Sequence, residues 1–143
     1  MKTSFKMTPD DYAWTVARLK NDYEPEITEA IAVATRQTSY NAKAFAPVDK
    51  GGLKSSIRTV IKGMTGEVIV GADYGPYQEF GTGDRVNVPS ELTEIAMQYK
   101  GKGIRKVNMR AQPYLYPSFF INRGKFENDM ENRINKIANR NWR

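Results

Sequence analysis

Four carboxylates, Asp49, Asp73, Glu79 and Asp84, lie in or beside turn-rich stretches, with Lys50 and Lys54 close to the first of them. Acids in such places, backed by a lysine, can hold Mg²⁺ for a nuclease or flank a glycosidic bond as an acid/base pair. Their spacing imposes neither chemistry, and acids are ordinary turn and surface residues. Gly71, Gly75, Gly81 and Gly83 invite comparison with a phosphate-cradling loop. The dinucleotide and Walker spacings are missing, however, and no Gly-Lys-Ser/Thr follows. Turn glycines are the better reading. The chain has no histidine and no cysteine, which removes the commonest general base, the commonest metal ligand, thiolate chemistry and disulfides. The expectation is a protein that is not an enzyme and carries no metal or cofactor.

Surfaces carry more information than pockets here. Among 143 residues with net charge +6, the stretch between Ile95 and Phe126 has no acid. It holds Lys100, Lys102, Arg105, Lys106, Arg110, Arg123 and Lys125, so all the excess positive charge lies within it. Five of these fall on a Gly-containing segment around Gly101 and Gly103. That pattern suits either a polyanion contact through phosphate attraction or a solvated, charge-bearing loop. No helix-turn-helix, zinc-finger or aromatic RNA-binding signature accompanies it, which argues against a sequence-specific reader. The aromatic set Tyr74, Tyr77, Phe80, Tyr114, Tyr116, Phe119 and Phe120 exceeds what one core face needs. The phenylalanines suit core packing; the tyrosines suit either the core or a protein interface.

The elements that must position these residues read as one α+β domain over residues 1–143. Thr8-Pro9-Asp10-Asp11 has the chemistry of a helix start, and Tyr12, Val16, Leu19 and Tyr23 follow at helical spacing. Pro25 predicts a break or kink, after which Ile27, Ile31, Ala34 and Thr38 continue to about Ala44, giving two helices or one kinked helix. Residues 46–83 read as β-rich, with a strand over Leu53–Lys62, a loop at Gly63–Gly66 and a return strand at Glu67–Gly71. Tyr77–Phe80 reads as a short turn. Residues 84–110 form a long basic loop with a short helix inside it, from Ser90 to Tyr99. Pro113–Tyr116 reads as a last strand, and Pro117-Ser118 opens a closing helix whose apolar stripe is Phe119, Phe126, Met130, Ile134 and Ile137. The fold expected is a small antiparallel sheet packed by an N-terminal helix and a C-terminal helix. No apolar run approaches the roughly 20 residues of a membrane span, so a soluble cytoplasmic chain is expected.

Three blocks carry a resemblance: Ala46–Ile57 (APVDKGGLKSSI), Val70–Gly83 (VGADYGPYQEFGTG) and Ala111–Phe119 (AQPYLYPSF). In this order they resemble the neck or tail-component family of tailed phages, the gene-product-ten family of the Hong Kong lambdoid phage. The Tyr74-x-x-Tyr77-x-Glu79-Phe80-Gly81-Thr82 segment is the most specific part. The resemblance covers residues 46–119. Tyr114 stands where that family usually has Phe, Gly75 where Ala is common, and residues 84–110 look like an insertion. The resemblance implies a structural virion or prophage protein. Such a protein would be a homo-oligomeric ring subunit between head-closure and tail-terminator proteins, monomeric when isolated, made in the host cytoplasm and ending at the head–tail junction. On that reading Tyr74, Tyr77, Glu79, Phe80, Gly81, Thr82, Tyr114 and Tyr116 shape a subunit contact. Lys100, Lys102, Arg105, Lys106 and Arg110 face DNA in the lumen or a neighbouring ring. A non-specific nucleic-acid-binding module and a phage-encoded metal-dependent hydrolase are the competing classes.

Overall fold

The computed structural model describes residues 9–48, 51–82, 88–99 and 109–141. Its elements are α1 (Pro9–Phe45), α2 (Gly52–Ser56), β1 (Ile57–Lys62), β2 (Thr65–Val70), α3 (Gly75–Phe80), a 3₁₀ turn at Ser90–Leu92, α4 (Thr93–Tyr99) and α5 (Leu115–Asn141). The chain is helix-rich, and its two-stranded antiparallel sheet packs against the long terminal helices, the α+β arrangement expected.

Helix α1 is one helix of 37 residues with Pro25 inside it, about 55 Å long at 1.5 Å per residue. Proline removes the N–H that would reach the carbonyl of Asn21. Both residues are exposed, so water can satisfy that carbonyl and the helix continues. The alternative of two separate helices is thus corrected. Thr8, read as the cap, lies outside the described residues.

Helices α1 and α5 run antiparallel, since Glu26 pairs with Arg133 near one end while Ala42 and Leu115 meet in the core near the other. Their seam is built from small and polar side chains: Ala30, Thr35, Thr38 and Ala42 on α1, Ser118 and Asn122 on α5. Each buried polar group there bonds back to its own helix. Thr35 donates to the Ile31 carbonyl (2.7 Å), Thr38 to Ala34 (2.8 Å), Ser118 to Tyr114 (2.6 Å) and Asn122 to Ser118 (2.7 Å). Each of these side chains thus has a bonded donor despite its burial, and their small size lets the helices approach closely. At the wetter end, Arg133 joins Glu26 (2.8 Å) and Asp129 (3.0 Å). Burial works against its charge, but the bonds to Asp129 and Glu26 outweigh it and raise its pKa.

The strand expected over Leu53–Lys62 begins only at Ile57. Gly51 takes a left-handed φ of +71°, and the hydroxyls of Ser55 and Ser56 donate to the carbonyls of Gly52 (3.1 Å) and Leu53 (2.7 Å). This local bonding closes one helical turn and drives Leu53 into the core. The hairpin loop is also tighter than the four residues expected. Lys62 pairs with Thr65 around Gly63, whose φ is +53°, and β2 takes in Thr65 and Gly66 and ends at Val70. The principal core joins Ala42, Ala46, Leu53, Ile57 and Tyr114. A second, smaller one joins Phe80, Leu92 and Ala96.

No strand forms at Pro113–Tyr116. Residues 109–114 are a non-helical strap lying along α3, and α5 starts at Leu115, ahead of Pro117. Proline is harmless in a first helical turn, where the N–H has no intrahelical partner. Tyr77–Phe80, read as a turn, is the body of α3. Within the stripe expected on α5, Ile137 is buried while Phe119 and Ile134 are exposed.

Candidate assembly surface

The second and third sequence blocks meet at Glu79. Its side chain leaves the last turn of α3, is 4% exposed, and accepts three backbone N–H bonds from the start of α5. Oε2 takes Tyr114 (2.8 Å) and Leu115 (2.9 Å), and Oε1 takes Tyr116 (2.9 Å). The first N–H groups of a helix are orphans with a positive field, so a carboxylate placed there satisfies them and complements the dipole. The strap is held further by Gln112 N–H to the Gln78 carbonyl (2.8 Å) and Thr82 N–H to the Met109 carbonyl (3.0 Å). Met109 N–H returns a bond to Thr82 Oγ1 at 2.9 Å. With both oxygens engaged by backbone, Glu79 serves as an anchor.

Gly81 follows with φ +75° and ψ −176°, a region open essentially to glycine alone. The turn carries the chain out of α3 immediately after Glu79. Gly75, at the other end of α3, is a close-approach glycine. A Cβ there would lie 2.8 Å from Val70 Cγ1 and 2.9 Å from the Tyr114 hydroxyl. Burial raises the pKa of the Tyr114 phenol well above 10, and the nearby Glu79 charge adds to this.

This geometry divides the expected contact residues. Glu79, Phe80, Gly81 and Tyr114 are buried within the chain, so the reading of them as a free subunit surface is corrected. They hold α3, the strap and α5 together. Tyr74 is 47% exposed, and Tyr77, Tyr116 and Thr82 are partly exposed. The Tyr116 ring lies 5.3 Å from that of Phe80. Of the basic set, Arg110 is exposed, while Lys100, Lys102, Arg105 and Lys106 lie outside the described residues, as do Asp49, Lys50, Gly83 and Asp84. Asp73 is exposed. Among the described residues no group of three potential metal-ligating side chains comes together, and no helix is long and apolar enough to cross a membrane.

One feature of the described surface has no local signature in the sequence. An apolar groove of about 620 Å³ opens between β2 and α5, with α1 as its floor. Ile31 and Thr35 lie below, Gly66 and Val68 form the β2 side, and Phe119 and Phe126 form the α5 side. Phe119 is 51% exposed. Gly66 is required at this edge because a Cβ there would collide with Thr35 Oγ1. A glycine in mid-strand signals close approach of another segment, but its partner on α1 is remote in sequence. No family model matches the chain, and no curated protein or solved structure matches it significantly.

Proposed function

We propose that this chain is a structural ring subunit of a tailed-phage head–tail connector, a neck or tail-completion protein seated between head-closure and tail-terminator proteins. It is made in the host cytoplasm and carried in the virion at the head–tail junction. The observation that supports this most is the convergence of the three resemblance blocks. Leu53 and Ile57 from the first share a core with Tyr114 from the third, and Glu79 from the second fastens the start of α5. The resemblance therefore rests on residues that build one domain. What that domain presents outward is an apolar groove, exposed tyrosine at Tyr74 and cationic side chains at Arg110, Arg123 and Lys125. Such surfaces suit contacts with other chains, with the basic residues turned toward DNA or an acidic neighbour.

The test is co-assembly with purified portal and head-closure rings, read by sedimentation, with a parallel titration of duplex DNA binding against salt. The proposal expects a stable complex with the connector and DNA contact only within it. Tight DNA binding by the free monomer, with a steep log-log salt slope and no connector complex, would instead mark a non-specific nucleic-acid-binding module.

A further inference from the structure

Helix α1 floors the groove with one side and exposes apolar side chains on the other. The floor runs from Ile31 to Thr38. Val33 and Tyr40 each stand two residues further on, a rotation of about 200° around the helix, so they form a ridge on the far side of α1. Val33 is 44% exposed and Tyr40 70%. Ridge and floor have the same length, about 10 Å along the helix. Helix side chains in such a row pack into grooves of this kind.

The occupant that fits both surfaces is a second copy. Arg36 and Gln37, both exposed, flank the ridge, turned roughly 50° to either side of it. Gln37 is on the α5 side, because it lies close to three full turns beyond Glu26, which pairs with Arg133 of α5. Arg36 is therefore on the sheet side. A copy seated with its α1 parallel to the first keeps these directions, so its Gln37 passes over α5 and its Arg36 over β2. There β2 presents the exposed Glu67, whose side chain alternates with those of Gly66 and Val68 and points away from α1. A cation meets an acid at the rim.

The level along the helix agrees. A Cβ on Gly66 would meet Thr35 and Ile31, whereas Val70 packs against the core of Ala42 and Ala46. Glu67, about 3.3 Å beyond Gly66, thus lies level with roughly residue 36 of α1 at 1.5 Å per helical residue. Copies in a ring are related by rotation alone. With the ring axis parallel to α1, Arg36 of one copy and Glu67 of the next stand at the same level. A reversed helix would instead bring Arg36 over Arg123 and Glu127, which already pair with each other.

We infer that copies of this chain associate head to tail, the Val33–Tyr40 ridge of one seated in the apolar groove of the next, with the α1 helices parallel and Arg36 beside Glu67. The inference deepens the connector reading and rests on it only for closure of the contact into a ring. The contact is small, so free chains associate weakly and closure strengthens it.

The absence of cysteine makes disulfide trapping clean. Chain carrying Gln37→Cys is mixed with chain carrying Arg123→Cys on the α5 wall and oxidised, free at high concentration and again on phage connector rings. A covalent heterodimer is expected. Adding Tyr40→Asp to the first chain should slow crosslinking about tenfold, with circular dichroism confirming that the fold persists. Arg36→Glu in that chain should slow it as well, and Glu67→Arg in the second chain should then restore it. Three results would each overturn the inference: preferential crosslinking of Gln37→Cys to Glu67→Cys, Gln37→Cys homodimers forming as fast as the heterodimer, or a rate indifferent to Tyr40→Asp. Crosslinking by chain that does not join the connector supports the contact and counts against the connector role. Joining without the crosslink overturns the contact, leaves the connector role standing and gives the groove to a neighbouring protein. No crosslink in either setting overturns the contact too.

Discussion

The carboxylate of Glu79 accepts the backbone N–H of Tyr116 at 2.9 Å across 37 residues of sequence, and the same side chain takes the N–H groups of Tyr114 and Leu115. A six-residue helix thereby sets where a 27-residue helix begins. This explains why Glu-Phe-Gly-Thr and Pro-Tyr-Leu-Tyr-Pro belong together in one chain. The first supplies the anion and the turn that follows it; the second supplies the helix start.

Removing the anion leaves three N–H groups unsatisfied where water has little access. Glu79→Ala should therefore cost on the order of 3 kcal/mol, since each orphaned buried donor costs about 1 kcal/mol or more. In thermal unfolding that corresponds to a fall in Tm of roughly 10 °C for a domain of this size. Glu79→Gln keeps one acceptor oxygen and should lose about half as much. Equal stability of all three proteins would mean that α5 begins equally well without this bond set.

Two glycines should respond in opposite directions. Gly81→Val forces a β-branched residue to φ +75° and should destabilise by about 2 kcal/mol or more. Gly124 sits exposed within α5 with nothing near a built Cβ. Gly124→Ala should therefore stabilise by about 0.5–1 kcal/mol through lost unfolded-state entropy and better helix propensity. Urea unfolding of both variants against the parent checks the pair.

Much of the fold was legible because it is local. The period-four stripe of α1 from Ile27 to Thr38 and the helical pattern of α5 lie in contiguous sequence, as do the Gly63 turn and its flanking strands. The errors fall where a remote group or a side-chain bond decides. Pro113–Tyr116 has the aromatic content of a strand, yet the N–H groups of Tyr114, Leu115 and Tyr116 are claimed by Glu79, and a helix starts at Leu115 instead. Leu53–Ser56 has apolar spacing compatible with a strand, but the serine hydroxyls curl it into a helical turn. The resemblance implies a subunit contact that includes Glu79, Phe80 and Gly81, whereas these three face inward. The groove depends on how β2, α1 and α5 are spaced, which no single stretch of sequence records.

The Tyr114 phenol gives the core a pH dependence at the alkaline end. Burial, aided by the negative charge of Glu79, raises its pKa from 10.0 in the folded state. Unfolded chains release this proton near pH 10 while folded chains retain it. The folded state then binds more protons than the unfolded one, and stability falls as pH rises above about 10. Below that value the contribution is constant. Tyr114→Phe should flatten the alkaline part of the stability profile, measured by denaturant midpoints from pH 8 to 11, leaving the lysine contribution common to both proteins. An unchanged profile would mean that the phenol reaches water in the folded chain.

Reversing the basic segment separates contact from fold. If the basic segment is a contact surface, Lys100, Lys102, Arg105 and Lys106 changed together to Glu should leave Tm within a few degrees of the parent, because charges on a surface contribute little to stability. The same change should sharply lower the yield of joined particles by replacing four attractions with four repulsions at one surface. Normal yield with normal stability would identify the segment as a solvated connector, and loss of fold would identify it as structural.

On the proposed connector role, electron microscopy of the chain mixed with a phage head-closure ring should show closed rings of this chain stacked on that ring, with a rotational symmetry visible in end-on views. Head-closure rings that remain bare at saturating concentrations of a folded, monomeric chain would contradict it.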